Sequence, residues 1–415
     1  MSNIYQRFRE EMAAGGSVEE IENPEVARSG KITGIVIAAL LLYLAVKNPW
    51  TFVFVVGLLI SVFLHEVGHF STARLTGMKV TQFFMGFGPR VWSMRRGEVE
   101  YGVRALPLGA FVRIIGMNNI DDVEEADESR AYRSKSYPRR LLVITAGSLM
   151  HMLIAFSLFF GVYVVSGRAQ STGVSTVQHV DEQNSPAYVA GVREGDTLLR
   201  IGDTTITDYD SVAAAIGTYR PGDSVDVVIK QNGVEKRLSV VLAAHPQVKD
   251  RGYFGVAADD WGWERLNPVV AAGRSASDIG TTIWSSVTGV VSALNPINSV
   301  RHLTDSAQAD PATRPSTVVG VSQYGGTVGR SEGLKGVLIL LASVNVFIGI
   351  FNMLPLLPFD GGHAAIATYE RIRSRRNKRY QADINKMVPV ATVVVGLLAF
   401  LLLTGLYLDV TQPLG

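Results

Sequence analysis

Phe52–Leu64, thirteen residues reading FVFVVGLLISVFL, runs directly into His65-Glu66-Val67-Gly68-His69. Two histidines four residues apart on a helix lie on one face, close enough to share one metal ion. The acidic residue between them is placed to act as general base on a metal-activated water. His65 and His69 are therefore candidate zinc ligands, and Glu66 is the candidate base. The apolar run before the motif has the character of a membrane span. The chemistry it points to is peptide hydrolysis in or at the edge of a bilayer.

Composition agrees with a mixed architecture. The 415 residues are 47% hydrophobic and 18% charged, with a mean hydropathy of +0.21. This is too apolar for an ordinary soluble protein and too polar for one built of spans alone. A net charge of +2 gives no signal for nucleic acid, and none is expected as a partner. The absence of cysteine excludes disulfides and thiolate metal sites. Residues 1–31 carry six glutamates and no apolar core before Ile32, so they read as a solvated, disordered tail and not as a secretory signal.

Outward from the motif, the spans fall at 51–70, 141–165, 336–357 and 388–408. A fifth, Ile32–Val46, is only fifteen residues long, giving four or five spans in all. The loop 71–140 holds twelve Lys or Arg and the loop 371–386 holds seven. The positive-inside rule puts both in the cytoplasm and the segment 167–333 outside. The expected location is thus the plasma membrane, multi-pass, with the metal motif near the cytoplasmic face. Within 71–140, residues 79–115 alternate apolar and polar around Gly86-Phe87-Gly88-Pro89, Arg96-Gly97-Glu98 and Pro107-Leu108-Gly109. This reads as a membrane-associated β region whose edge could hold an extended peptide. Asn118–Glu128 reads as a flexible acidic loop, Pro268–Pro296 as an amphipathic helix on the outer face, and Arg301–Glu332 as loop.

Zinc needs a third protein ligand and one open position. The best candidate is Asp360, which closes Asn352-Met353-Leu354-Pro355-Leu356-Leu357-Pro358-Phe359-Asp360-Gly361-Gly362, so this span segment is taken to 362. A carboxylate at the end of an apolar run is costly. The prolines break the helix, and irregular backbone at that depth is tolerated only inside protein or along a cavity. Both this span and the motif helix run from outside to inside, which brings His65, His69 and Asp360 to one level.

Residues 175–242 form a separate soluble unit with the order Ser185-Pro186-Ala187, Ala190-Gly191-Val192, Gly195-Asp196, a helix over 209–219, and strands near 225–230 and 235–241. This order resembles a bacterial PDZ domain, an α+β fold that binds chain ends or extended segments along a sheet edge.

Together these residues resemble the site-2 protease family of intramembrane zinc metalloproteases, most nearly its PDZ-containing bacterial branch and actinobacterial members within it. The likeness covers about residues 50–410. It implies one Zn2+ per chain held by His65, His69 and Asp360, with Glu66 catalytic. It implies that Asn352 and the Pro355 region help hold substrate, and that the Gly86-Phe87-Gly88 region pairs with it. It implies substrates that are single-span membrane proteins such as anti-sigma factors, cut after a first external cut in regulated intramembrane proteolysis. The PDZ unit would then filter substrates from outside. Two alternatives stand beside it: a membrane PDZ scaffold with a vestigial zinc site, and a zinc transporter.

The chain departs from the family where members often carry Gly-Pro-x-x-Asn. Here Gly147-Ser148-Leu149-Met150-His151 stands. His151 lies eleven residues after Arg140, ~17 Å along a helix, and His65 lies nine before Arg74, ~14 Å. At matching depth, His151 is expected to face the site without binding zinc and to hydrogen-bond substrate or the developing oxyanion.

Overall fold

The computed structural model describes residues 24–117, 121–181, 185–245, 248, 250–304, 309–310, 313–375, 380–383 and 386–413. Most of the expected N-terminal tail, residues 1–23, lies outside them. The chain divides into two compact units, one of residues up to Val162 plus Pro268 onward, the other Tyr163–Asn267.

Among the described residues, four helices are long and apolar enough to cross a membrane: α2 (Pro49–Leu75), α3 (Tyr137–Val165), α8 (Val318–Asn352) and α10 (Val388–Thr411). The chain is a multi-pass membrane protein. Helix α1 (Pro24–Lys47) starts eight residues ahead of the expected Ile32, and its apolar part, Ile32–Lys47, is shorter than the four spans. Asn48 ends α1 and caps α2 with its side chain, accepting from Thr51 N–H at 3.3 Å, and Pro49 takes the first helical position, where its missing N–H costs nothing.

Helix α8 differs from expectation at both ends. It begins at Val318, inside a stretch rich in glycine that reads as loop, and breaks its helical geometry at Gly333. Glycine is a poor helix former, but here it allows α2 to come close. A Cβ at Gly325 would lie 2.8 Å from the Phe54 ring. Propensity gives way to helix packing. Phe54, Leu58, Val337 and Leu341 then form the buried seam between α2 and α8. The first turn of α8 is anchored by the buried Asp409 of α10, which accepts from Thr317 N–H at 2.7 Å and Gly320 N–H at 3.0 Å and pairs with Arg314 at 3.1 Å. At its other end α8 stops at Asn352, short of the expected 357. Turns cover 353–359, because Pro355 and Pro358 cannot donate to a helical ladder. Helix α9 (Asp360–Arg373) opens on Asp360, where a carboxylate suits the positive end of the helix. Pro296–Thr304 also forms a short helix, α7, whose last four residues, from Arg301, fall in the region expected as loop.

The β region is present as β1 (Val80–Arg96) and β2 (Val99–Ile114), joined by a hairpin turn at Gly97. Both strands fold back on themselves, so residues 80–85 pair with 110–114 on one side and 100–103 on the other. Segment 110–114 is therefore an outer edge. The acidic segment behind the sheet is more ordered than expected. It forms a 3-10 turn, Glu125–Arg130, and the Arg133 guanidinium hydrogen-bonds Glu128 at 2.6 Å and holds its carboxyl down to about 2. Helix α6 (Pro268–Ala293) matches the expected amphipathic helix, with Ala271, Ser275, Ser286 and Val290 buried and Trp284 exposed.

The second unit is a sheet of order β10-β3-β4-β6-β7, with β5 (Thr204–Thr205) beside β4, a short separate pair β8 (Ala243–Ala244) and β9 (Gly252–Tyr253), and two helices. Its strands β3 (Arg168–Val180), β4 (Thr197–Ile201), β6 (Ser224–Gln231), β7 (Val234–Val241) and β10 (Val256–Glu264) surround a core including Leu198, Ile201, Val227, Ile229 and Leu242. The unit is longer than the expected 175–242, because β10 pairs with β3 along its length. The motif residues have structural reasons. Ser185 Oγ accepts from Tyr188 N–H at 3.2 Å, Pro186 opens helix α4 (Pro186–Ala190), and Gly191 closes it at φ 95°, where other residues are strained. Asp196 Oδ2 accepts from Arg193 N–H at 2.8 Å and from Gln231 Nε2 at 2.9 Å. Helix α5 (Tyr209–Gly217) is capped by Asp208, which accepts from Ser211 N–H at 2.7 Å.

Candidate metal centre

His65 and His69 lie in the last third of α2 and are buried. Their Nε2 atoms stand 3.0 Å apart. Asp360, at the first turn of α9, brings Oδ2 to 3.3 Å from His65 Nε2 and 3.2 Å from His69 Nε2. The sequence places these three together, and the fold does so as expected.

The donor set fits zinc on its own chemistry. His69 Nδ1 lies 2.7 Å from the carbonyl oxygen of Val143, which can only accept. Nδ1 therefore carries the proton and Nε2 is a bare lone pair. Asp360 Oδ2 is buried with no hydrogen-bond partner. Three ligand atoms 3.0–3.3 Å apart, with His69 Nε2 and Asp360 Oδ2 both bare of hydrogen, make a cradle that a cation would fill. Ligands at ~2.0–2.1 Å from a tetrahedral zinc are separated by about this distance. Two nitrogens and one carboxylate oxygen leave a fourth position open, as hydrolytic sites require. Replacing Asp360 by Ala should lower bound zinc and activity together. Removing one of three ligands should exceed the ~10–100-fold loss of affinity typical of changes behind the ligands. Metal analysis of the purified variant checks this; unchanged zinc affinity would refute the assignment.

Three further features position the centre. Glu66 shares its cleft with Val112, on the outer edge of the sheet. Glu66, His69 and Asp360 line one cleft with Phe87, Phe111, Val112, Pro358 and His363. Gly147 of α3 lies against both imidazoles: a Cβ there would sit 2.5 Å from Nε2 of each. Close approach also holds Asp360 in place, since a Cβ at Gly362 would lie 2.7 Å from the backbone of Leu356 and Leu357.

The other expected site residues are placed as follows. Phe87 reaches the cleft and stacks on Phe111 at 6.1 Å. Gly86 and Gly88 shape the fold-back of β1, both at positive φ. Asn352 ends α8 half-buried and Pro355 is exposed in the turn that follows; Pro358, and neither of these, lines the cleft. His151 is buried with its ring centroid 5.0 Å from that of His65. Asn345 escaped the sequence reading. Its signal was a lone amide in the apolar run Val337–Phe351.

A two-histidine, one-carboxylate centre with an acid beside it, set on membrane-length helices, defines a metal-dependent hydrolase of the membrane. The model of Peptidase family M50 matches residues 53–396, and the chain belongs to that family. It is a site-2 type zinc metalloprotease. Zinc metalloprotease Rip1 of Mycobacterium tuberculosis is 34% identical over 394 residues, covering 87% of this chain and 97% of that protein. Zinc metalloprotease Rip1 of Mycolicibacterium smegmatis is 31% identical over 397 residues, with the same coverage of 87% and 97%. Among solved structures, the PDZ domain of an SdrC-like protein from Listeria monocytogenes is similar at 20% identity and a TM-score of 0.19, covering 21% of this chain and 90% of that one.

Proposed function

We propose that this protease cuts within the membrane-spanning segments of single-span membrane proteins, anti-sigma factors among them, after a first cut has removed their external part. The observation that carries this reading is the cleft itself. It joins Glu66, His69 and Asp360 to the outer edge of segment 110–114 on helices long enough to span a bilayer. A span enters such a cleft as an extended strand, since a helix hides its own amide bonds and an edge strand offers partners for them.

His65, His69 and Asp360 would hold one zinc ion per chain. When bound, it polarises the scissile carbonyl and makes water acidic enough to attack near neutral pH. Glu66 takes the proton from the attacking water and delivers it to the leaving nitrogen. Phe87 and Phe111 give the substrate side chains an apolar wall. Asn352 and Pro355, which lie outside the lining of that cleft, help hold the substrate. The basic loops 71–140 and 371–386 put the centre near the cytoplasmic face of the plasma membrane. The unit Tyr163–Asn267 is a PDZ domain on the opposite side, where it takes chain ends or extended segments and turns away substrates whose external part is uncut.

The test is cleavage of a single-span substrate by the full chain reconstituted in vesicles. Gly or Pro placed within the substrate span should speed cleavage, and a poly-Leu span should resist it. Equal rates would count against entry as an extended strand. In cells, membrane proteomics with the wild type and with Glu66→Gln should show truncated single-span stubs only in the variant. Their absence would sink the assigned substrate class.

A further inference from the structure

His151 follows Gly147 by one helical turn, so both face the imidazole pair. It is not one of the metal-binding cluster: the group whose ligand atoms lie within 4.8 Å of one another is His65, His69 and Asp360. Its Nδ1 lies 2.8 Å from Asn345 Oδ1. The direction of that hydrogen bond follows from two backbone carbonyls. Asn345 Nδ2 is 2.8 Å from the Leu341 oxygen and 3.1 Å from Ser61 Oγ, and Ser61 Oγ donates to the Gly57 oxygen at 2.9 Å. A carbonyl only accepts, so the amide nitrogen of Asn345 is the atom facing Leu341, and its second hydrogen goes to Ser61. Asn345 Oδ1 is left purely as an acceptor, and His151 Nδ1 must donate to it. The neutral ring then carries a lone pair at Nε2, on its opposite edge.

We infer that Asn345 and Ser61 are positioning residues that hold His151 as a hydrogen-bond acceptor for one backbone N–H of the substrate next to the cut. This rests on the proteolytic reading above. It also replaces the expectation that His151 donates to an oxyanion, which needs a hydrogen at Nε2. An extended substrate at this depth exposes N–H groups that water cannot reach, and an unpaired one is costly. The sheet edge serves one side of the strand. His151, across the metal ligands on α3, serves an N–H directed away from that edge.

Two measurements on the purified full chain test this. In 15N-histidine spectra, with His151 assigned by comparison with His151→Asn, Nδ1 should be protonated and Nε2 bare. Asn345→Leu should erase that signature while zinc content stays at the wild-type level. A protonated Nε2 overturns the inference whether or not any substrate is cut. In the second measurement, esters replace single amides of a span substrate around the cut, each removing one N–H. At one position the wild type should slow about tenfold, the loss of one hydrogen bond. His151→Ala should already be slow by that factor and slow no further there. His151→Asn, which keeps an acceptor oxygen, should restore most of the rate. Additive losses at every position, or loss of zinc from His151→Ala, overturn it. A wild-type chain that cuts no single-span substrate would instead defeat the proteolytic reading, with the tautomer result still standing on its own.

Discussion

Replacing Glu66 by Gln should leave zinc bound and reduce cleavage about 10³-fold, within the range general bases contribute. The substitution keeps side-chain length and shape, so the new side chain fills the same place in the cleft beside Val112. What it removes is an oxygen able to take a proton. None of the three atoms of the metal cluster belongs to Glu66, so metal content should not follow activity. Zinc analysis of the purified variant beside initial rates on one span substrate gives both numbers. Cleavage within tenfold of the wild type would show that another group takes the proton. Loss of zinc would show that Glu66 has a structural part in the centre. The same variant separates a protease from a transporter, because zinc movement across a membrane has no use for a base beside the ligands.

The site could be read from the sequence to the extent that its parts are local or chemically expensive. His65 and His69 are one helical turn apart, so their pairing is a property of the helix. Asp360 is distant in sequence, but a carboxylate after an apolar run and two prolines has few uninteresting explanations, and it lies 3.2 Å from His69. The strands 224–231 and 234–241 lie where the order of the sequence puts them, near 225–230 and 235–241. What could not be read depends on partners brought from afar. The glycines at 325, 326 and 329 count against a helix until Phe54, Thr51 and Trp50 are seen to occupy the space their missing side chains leave. Asn345 is an ordinary amide in one dimension. Only the fold sets it between His151 and Ser61. The end of α8 at Asn352 was missed because hydropathy continues through Leu357 while the hydrogen-bonding capacity of the backbone does not.

Gly147→Ala should cost the centre most of its zinc and its activity with it, although Gly147 binds nothing. The added Cβ would lie 2.5 Å from His65 Nε2 and 2.5 Å from His69 Nε2, the two atoms that must reach the metal. No ordinary contact is that short, so something has to move. The His69 ring cannot turn aside, since its Nδ1 is fixed to the Val143 carbonyl, one turn earlier on the same helix as Gly147. Moving α3 outward breaks that hydrogen bond and frees the ring to take the wrong tautomer. Nor is there slack where the helices cross: a Cβ at Gly68 would already lie 2.8 Å from the Ala146 oxygen. Either response spoils one ligand, and a loss of zinc affinity of at least ~100-fold is expected. The control lies on the same helix. Gly161 has nothing within 4 Å of where its Cβ would be, so Gly161→Ala should keep zinc and activity and stabilise the helix by about 0.5–1 kcal/mol. Zinc retention against a graded chelator, with thermal unfolding of both variants, decides the matter. If Gly147→Ala holds zinc as tightly as Gly161→Ala, the close packing of α3 on the imidazoles is not what shapes the centre.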